Sequence, residues 1–174
     1  MNAIIKKNGI SFGVIIGVLS ILFATLTYVF RLYTSWWVGL LSFAVSIVLY
    51  CVLLSKTKKE LGGVYSFKEA FTTFFIAAVI AVVVATLYNV VLYNFVDPGA
   101  KEIVKEETIK STVKIMESMG TPNSAINEAV DNMQNDDPFS VSKQLLGAAI
   151  ALAISCVLGL ILALIFKSRT THTE

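Results

Sequence analysis

The residues of this chain whose types could do polar chemistry are few, and most of them fall where water is scarce. Asn89 sits inside one long apolar run, Ser42 and Ser46 in a second, and Ser155 in a third. A carboxamide or hydroxyl held in hydrocarbon has two uses: it bonds a neighbouring helix, or it lines a polar cavity for a solute. For Asn89 the first use is an interhelical contact worth about 0.6 to 2 kcal/mol, and the second is contact with a ligand in a cavity open to one membrane face. The serines have a third option, which is to return their hydroxyls to their own helix carbonyls. Asn94 is the other asparagine of the Asn89 run.

Chemistry beyond hydrogen bonding lacks its residues. Cys51 and Cys156 lie in different apolar runs at different depths, with no CxxC and no Cys/His cluster, so they read as small apolar side chains and not as a disulfide or metal site. The acids Glu128, Asp131, Asp136 and Asp137 lack the D-x-[DN]-x-[DN]-G spacing of a calcium loop and read as a solvated face. His172 is the only histidine, placed in a polar tail without a partner. No catalytic, cofactor-binding or metal-binding residue is therefore expected, and no cofactor. Ion-coupled transporters and intramembrane enzymes need ionisable or metal-binding groups within a span, and the apolar runs contain none. The chain is expected not to be an enzyme.

The elements that must position these groups follow from the apolar runs themselves. With 56% hydrophobic residues and a mean hydropathy of +0.75, the 174-residue chain exceeds the roughly 45 to 50% apolar share of soluble domains. The excess is concentrated in residues 10–30, 36–54, 71–96 and 145–166, each a charge-free stretch long enough to cross about 30 Å of hydrocarbon as a helix. The expected fold is an all-α integral membrane protein, a single membrane domain over residues 1–174. The basic residues are dispersed around span ends, which excludes a nucleic-acid stripe.

Lysine and arginine also predict orientation. With the N-terminus cytoplasmic, the inner segments carry eight cations against three acids and the outer segments six against nine. By the positive-inside rule this places the chain in the inner (cytoplasmic) membrane with both termini cytoplasmic. Tyr28, Tyr33, Trp36, Trp37, Tyr93 and Phe95 form the expected outer aromatic belt, with Tyr50, Tyr65 and Phe67 at the inner face.

Local signals punctuate the third span. Ser66 and Glu69 are spaced as a capping box, so the helix starts about one turn before the membrane. Asp97 and Pro98 are suited to cap and open the next helix, and Asp137 with Pro138 to cap the last one. Between them, residues 98–136 predict an extracytoplasmic amphipathic helical hairpin. Val104, Ile109, Thr112, Val113, Ile115, Met116 and Met119 share one face of its first helix, Gly120 breaks it, and Ala125, Ile126, Ala129, Val130 and Met133 recur at helical spacing in the second. The tail 167–174 is polar and expected to be disordered.

Small residues recur every three or four positions in all four spans: Gly9, Gly13 and Gly17; Ser35, Gly39, Ser42 and Ser46; Ala77, Ala81, Ala85 and Asn89; Gly147, Ala151, Ser155 and Gly159. Such seams let helix backbones approach closely, within one bundle or between copies. The bilayer is thus one partner, and a homo-oligomer or another membrane protein is the other expected class.

The order of these features resembles the four-span bacterial membrane proteins of domain of unknown function family 4199, known chiefly from Bacteroidota. The matching features are the glycine-bearing first span, Ser66-Phe67 with Ala70, Tyr93 and Phe95 before Asp97-Pro98, the helical insert, and Gly159 followed by Ile161-Leu162-Ala163 and a basic end. The resemblance implies a four-helix inner-membrane protein and supplies no activity, cofactor or catalytic residue. The functional expectation is a structural or partner-binding membrane module acting through its outer hairpin, with a small transporter or solute-binding protein, its polar path near Asn89, as the alternative.

Overall fold

In a computed structural model that describes residues 2–32 and 35–168, the chain folds as six helices with no strand among the described residues. They are α1 (Ala3–Val29), α2 (Trp36–Glu60), α3 (Phe67–Val91), α4 (Ala100–Ser118), α5 (Asn123–Asn135) and α6 (Val141–Phe166). A single π-helical turn, Leu92–Val96, continues α3. Helices α1, α2, α6 and α3 with its π turn are long and apolar enough to cross a membrane, and the chain is an all-α, multi-pass membrane protein. Tyr33 of the expected aromatic belt and His172 lie outside the described residues.

The helices overrun the apolar windows because polar residues cap or extend them. The Asn2 side chain accepts from the Ile4 amide at 2.9 Å, which starts α1 seven residues before the apolar run, at a cap the hydropathy pattern does not show. Past the end of the second apolar run, α2 continues through Lys56, Lys58 and Lys59, good helix formers that remain outside the apolar layer. It stops at Gly62 and Gly63, both at positive φ, where the amide of Gly62 bonds the Lys59 carbonyl and that of Gly63 bonds the Lys58 carbonyl. Gly120 ends α4 by the same geometry.

One end of the bundle gathers the start of α1, the end of α2, the start of α3 and the end of α6, and with them Lys6, Lys7, Lys56, Lys58, Lys59, Lys68 and Lys167. The packed core lies in this half: Phe12 and Ile16 of α1, Leu53 and Leu54 of α2, Phe74 and Ala77 of α3, and Leu162 and Ala163 of α6. The helix α3 is the centre, packing on α1, α2 and α6. It runs parallel to α1, and the glycines of α1 make their contact possible. A Cβ added to Gly9 would fall 2.9 Å from the Ile76 side chain, one on Gly13 2.8 Å from Ile80 and 2.9 Å from the Ala77 carbonyl oxygen, and one on Gly17 2.8 Å from Val84. Glycine on one helix thus receives a branched side chain of the other at every turn. Gly159 of α6 does the same for the Phe74 ring, 2.5 Å from where a Cβ would sit.

The small-residue seams do not run the whole length of the bundle. Gly39 and Gly147 have nothing within 4 Å of their missing Cβ positions. At the opposite end of the bundle α1 and α2 leave a groove lined in part by Ser20, Thr27, Gly39 and Ser42, and α3 and α6 leave another lined in part by Asn89, Gly147 and Ala151. The small residues recur in all four spans, but the bundle is clamped at the basic end and splayed at the other.

The expectation of a disordered tail from Lys167 is corrected in part. The Ser168 hydroxyl donates to the Gly63 carbonyl at 2.6 Å and accepts from the Tyr65 amide at 2.8 Å, and the Ser168 amide bonds the Tyr65 carbonyl at 2.7 Å. These bonds tie the end of α6 to the link between α2 and α3; residues 169–174 of that tail lie outside the described residues.

Candidate functional site

The strongest concentration of polar contacts at the splayed end is the place where α3 hands over to α4 and α5 to α6. The π turn is closed by a bond from the Asp97 amide to the Leu92 carbonyl at 2.8 Å, five residues apart. Asn94 sits within it. Its amide nitrogen donates to the Val90 carbonyl and to the Phe139 carbonyl, both at 3.1 Å, and its oxygen accepts from the Lys101 ammonium at 2.8 Å. The Gln144 amide also donates to the Phe139 carbonyl, at 2.8 Å, while the Phe139 ring lies 4.5 Å from that of Tyr93. Lys101 completes a bridge to Asp137, 3.7 Å away, and Lys143 pairs with Asp136 at 3.1 Å.

Asp97 ties α1 to the same assembly. One carboxylate oxygen accepts from the Tyr28 hydroxyl at 2.6 Å, and the other accepts from the Ala100 amide at 3.2 Å. It therefore caps α4 from three residues before its first helical residue, with Gly99 at the cap position itself. This corrects the expectation that Asp97 and Pro98 directly begin the helix. Asp137 behaves similarly: its carboxylate accepts from the Phe139 amide at 3.0 Å, and the residue at the start of α6 is Ser140, whose hydroxyl bonds the Asp137 carbonyl. Ser66 and Glu69 form a reciprocal capping box at α3, with the Ser66 hydroxyl accepting from the Glu69 amide at 3.2 Å and the glutamate accepting from the Ser66 amide at 2.9 Å.

From this joint the two polar helices project. The helix α4 packs on α5, and neither packs broadly on the four apolar helices. Ile126 is buried between them, and the Lys105 ammonium reaches the Gln134 carbonyl at 2.6 Å. Not all of the apolar face is used: Ile115 and Met119 are 56% and 77% exposed.

A second polar set lies at the basic end. The Asn8 amide donates to Thr57 at 3.2 Å and to the Glu60 carboxylate at 2.7 Å, linking α1 to α2. Tyr65, fully buried, donates its hydroxyl to Thr73 at 2.8 Å, and burial pushes that hydroxyl up to about 12. Every buried side-chain polar atom among the described residues is paired.

The four polar residues singled out from the apolar runs are not brought together. Asn89 is half-buried on α3 and lines a groove of about 280 Å³ against α6, facing Gln144, Gly147, Ala148 and Ala151; its side chain makes no hydrogen bond among the described residues. Ser42 lines a different groove, about 430 Å³, between α1 and α2, beside Ser20, Thr27 and Gly39. The Ser46 hydroxyl returns to the Ser42 carbonyl at 2.8 Å, and Ser155 is half-buried on α6 in neither groove. Of the two asparagines in the third apolar run, the one that joins separate segments is Asn94. Its signal in the sequence was its place five residues past Asn89 and seven before a lysine, which does not reveal Phe139. Cys51 and Cys156 are both free and half-buried, and among the described residues no three His, Cys, Asp or Glu gather as metal ligands.

A family model described as "Protein of unknown function (DUF4199)" matches residues 11–168. No curated protein and no solved structure matches the chain.

Proposed function

The chain belongs to the DUF4199 family, and from that premise we propose that it is a non-enzymatic interaction module, in which a four-span anchor presents the α4–α5 hairpin to a partner. The single observation that carries this reading is the contrast between the hairpin's two ends. Its base is fixed by Asn94, Lys101, Asp97 and Asp137, while Ile115 and Met119 remain exposed toward its tip. An apolar face on a rigid arm is suited to a second copy of the chain or to another membrane protein.

The proposed location is the inner membrane, with both termini cytoplasmic and the hairpin outside. The lysine bias supports this, because Lys6, Lys7, Lys56, Lys58, Lys59 and Lys68 all belong to the clamped end. In a chain lacking Cys51 and Cys156, a cysteine placed at Gly120 is then labelled by an impermeant thiol reagent added from outside intact cells, and lack of labelling refutes the orientation. Site-specific photo-crosslinking from position 119 in native membranes tests the partner reading. A discrete adduct to one protein or to a second copy supports it, and adducts to lipid alone refute it.

One observation favours a second reading, that of a small transporter or solute-binding protein. The Asn89 carboxamide points its bonding capacity into the α3–α6 groove without a protein partner among the described residues. Solute flux into vesicles that Asn89→Leu abolishes, with stability unchanged, is the result that would favour it.

A further inference from the structure

We propose that the face of α2 from Val48 to Lys59 is a binding site for one anionic glycerophospholipid. Helix periodicity places Val48, Val52 and Lys56 on one diagonal ridge and Cys51, Ser55 and Lys59 on the next. With Ile47 these residues, all on α2, line an open and shallow patch of the surface that is almost wholly apolar until it reaches the two ammonium groups. From Val48 to Lys56 it runs about 12 Å along the helix axis, at 1.5 Å per residue. One end is therefore shaped for an acyl chain and the other for a phosphate.

The rest of the fold fixes which way this patch faces. Leu53, Leu54 and Thr57, on the opposite side of the same turns, are fully buried in the core, so this face is fixed toward lipid. Val48 and Val52 are 59% and 47% exposed on it. The Lys56 ammonium is steered by the Phe12 ring, 5.7 Å away. Its nearest acid, Glu60, is 4.0 Å distant and already accepts from Asn8 at 2.7 Å, and Lys59 has no ion-pair partner among the described residues. Two cations against one carboxylate, which keeps its charge while it accepts from Asn8, leave a net positive charge at the head of an apolar patch on a membrane span. A zwitterionic lipid would carry its own cation into that place, so the charge balance selects an anionic headgroup.

The test uses the full chain purified in a neutral detergent and titrated with phosphatidylglycerol or phosphatidylcholine, with bound lipid counted by native mass spectrometry. One phosphatidylglycerol is expected to bind on the order of tenfold tighter than phosphatidylcholine. The double variant Lys56→Gln with Lys59→Gln is expected to lose that preference, and Val52→Trp to weaken binding by placing a bulky ring where the acyl chain would lie, with the charge intact. Lys6→Gln with Lys7→Gln, at the same end of the bundle and with the same charge change, is expected to retain it. Equal weakening by the two double variants would show diffuse surface charge and overturn the site, as would a wild type without preference. Should the Lys56/Lys59 variant unfold, Val52→Trp decides: undiminished binding in it overturns the site.

Discussion

The side-chain oxygen of Asn94 accepts a hydrogen bond from the Lys101 ammonium at 2.8 Å, across the bend that separates the last span residue of α3 from the projecting α4. With the two bonds donated by its nitrogen, Asn94 uses both ends of its carboxamide to join three segments of chain. Asn89, five residues earlier on the same helix, joins none among the described residues.

Substituting the two asparagines should therefore have unequal effects. Asn94→Leu removes an acceptor from Lys101 and a donor from the Phe139 carbonyl, and is expected to destabilise by about 2 to 3 kcal/mol. Asn89→Leu, with no bond to lose, is expected to stay within about 0.5 kcal/mol of the parent. Unfolding of each variant in detergent micelles measures both, and the reverse order would place the joint's strength elsewhere.

The glycines divide in the same way. Gly13→Val would press a side chain into Ile80 and the Ala77 carbonyl, and backbone cannot yield as a side chain can, so a loss of about 3 kcal/mol or misassembly is expected. Gly39→Ala meets open space within a helix and should raise stability, by up to about 1 kcal/mol. A thermal unfolding comparison in one detergent separates the two sites.

Tyr65 predicts a dependence on alkaline pH. Its folded value of about 12 lies above the ordinary 10, so the fold holds the neutral phenol while the unfolded chain releases the proton first. This contribution is fully present below pH 10 and declines as pH rises toward 12. Tyr65→Phe lacks that titration. Its stability should lie below the parent at pH 8, through the lost bond to Thr73, and the gap should close between pH 10 and 12. A gap that stays constant across that range would contradict the burial argument.

Arg31 is the one non-glycine residue at positive φ among the described residues, at 54°. It ends α1 with the bonding pattern glycine makes at Gly62 and Gly120, the Leu32 amide reaching the Thr27 carbonyl at 2.9 Å. Arg31→Gly removes the clash of Cβ with the following carbonyl and is expected to stabilise by about 1 kcal/mol. The exposed arginine side chain has no ion pair among the described residues, so equilibrium unfolding should show the gain without an offsetting loss.

What the sequence determined by itself is what depends on neighbours along the chain. A run of apolar residues without charge must be a helix in lipid, because only a helix satisfies its own backbone bonds there. The Ser66–Glu69 box and the stop at Gly120 are equally local, since each bond spans a few residues and needs only the right side chain or a tolerated φ. Tertiary structure decided which polar and small residues have partners. Gly9 and Gly39 look alike in a pattern, yet one receives Ile76 and the other faces a gap, because the bulk that fills a glycine notch comes from a different helix. Asn94 outranks Asn89 for the same reason: its partner Phe139 is 45 residues away, delivered by the path of the hairpin. The π turn that contains Asn94 resets which face of the helix points at that path, and no periodicity of 3.6 residues anticipates it.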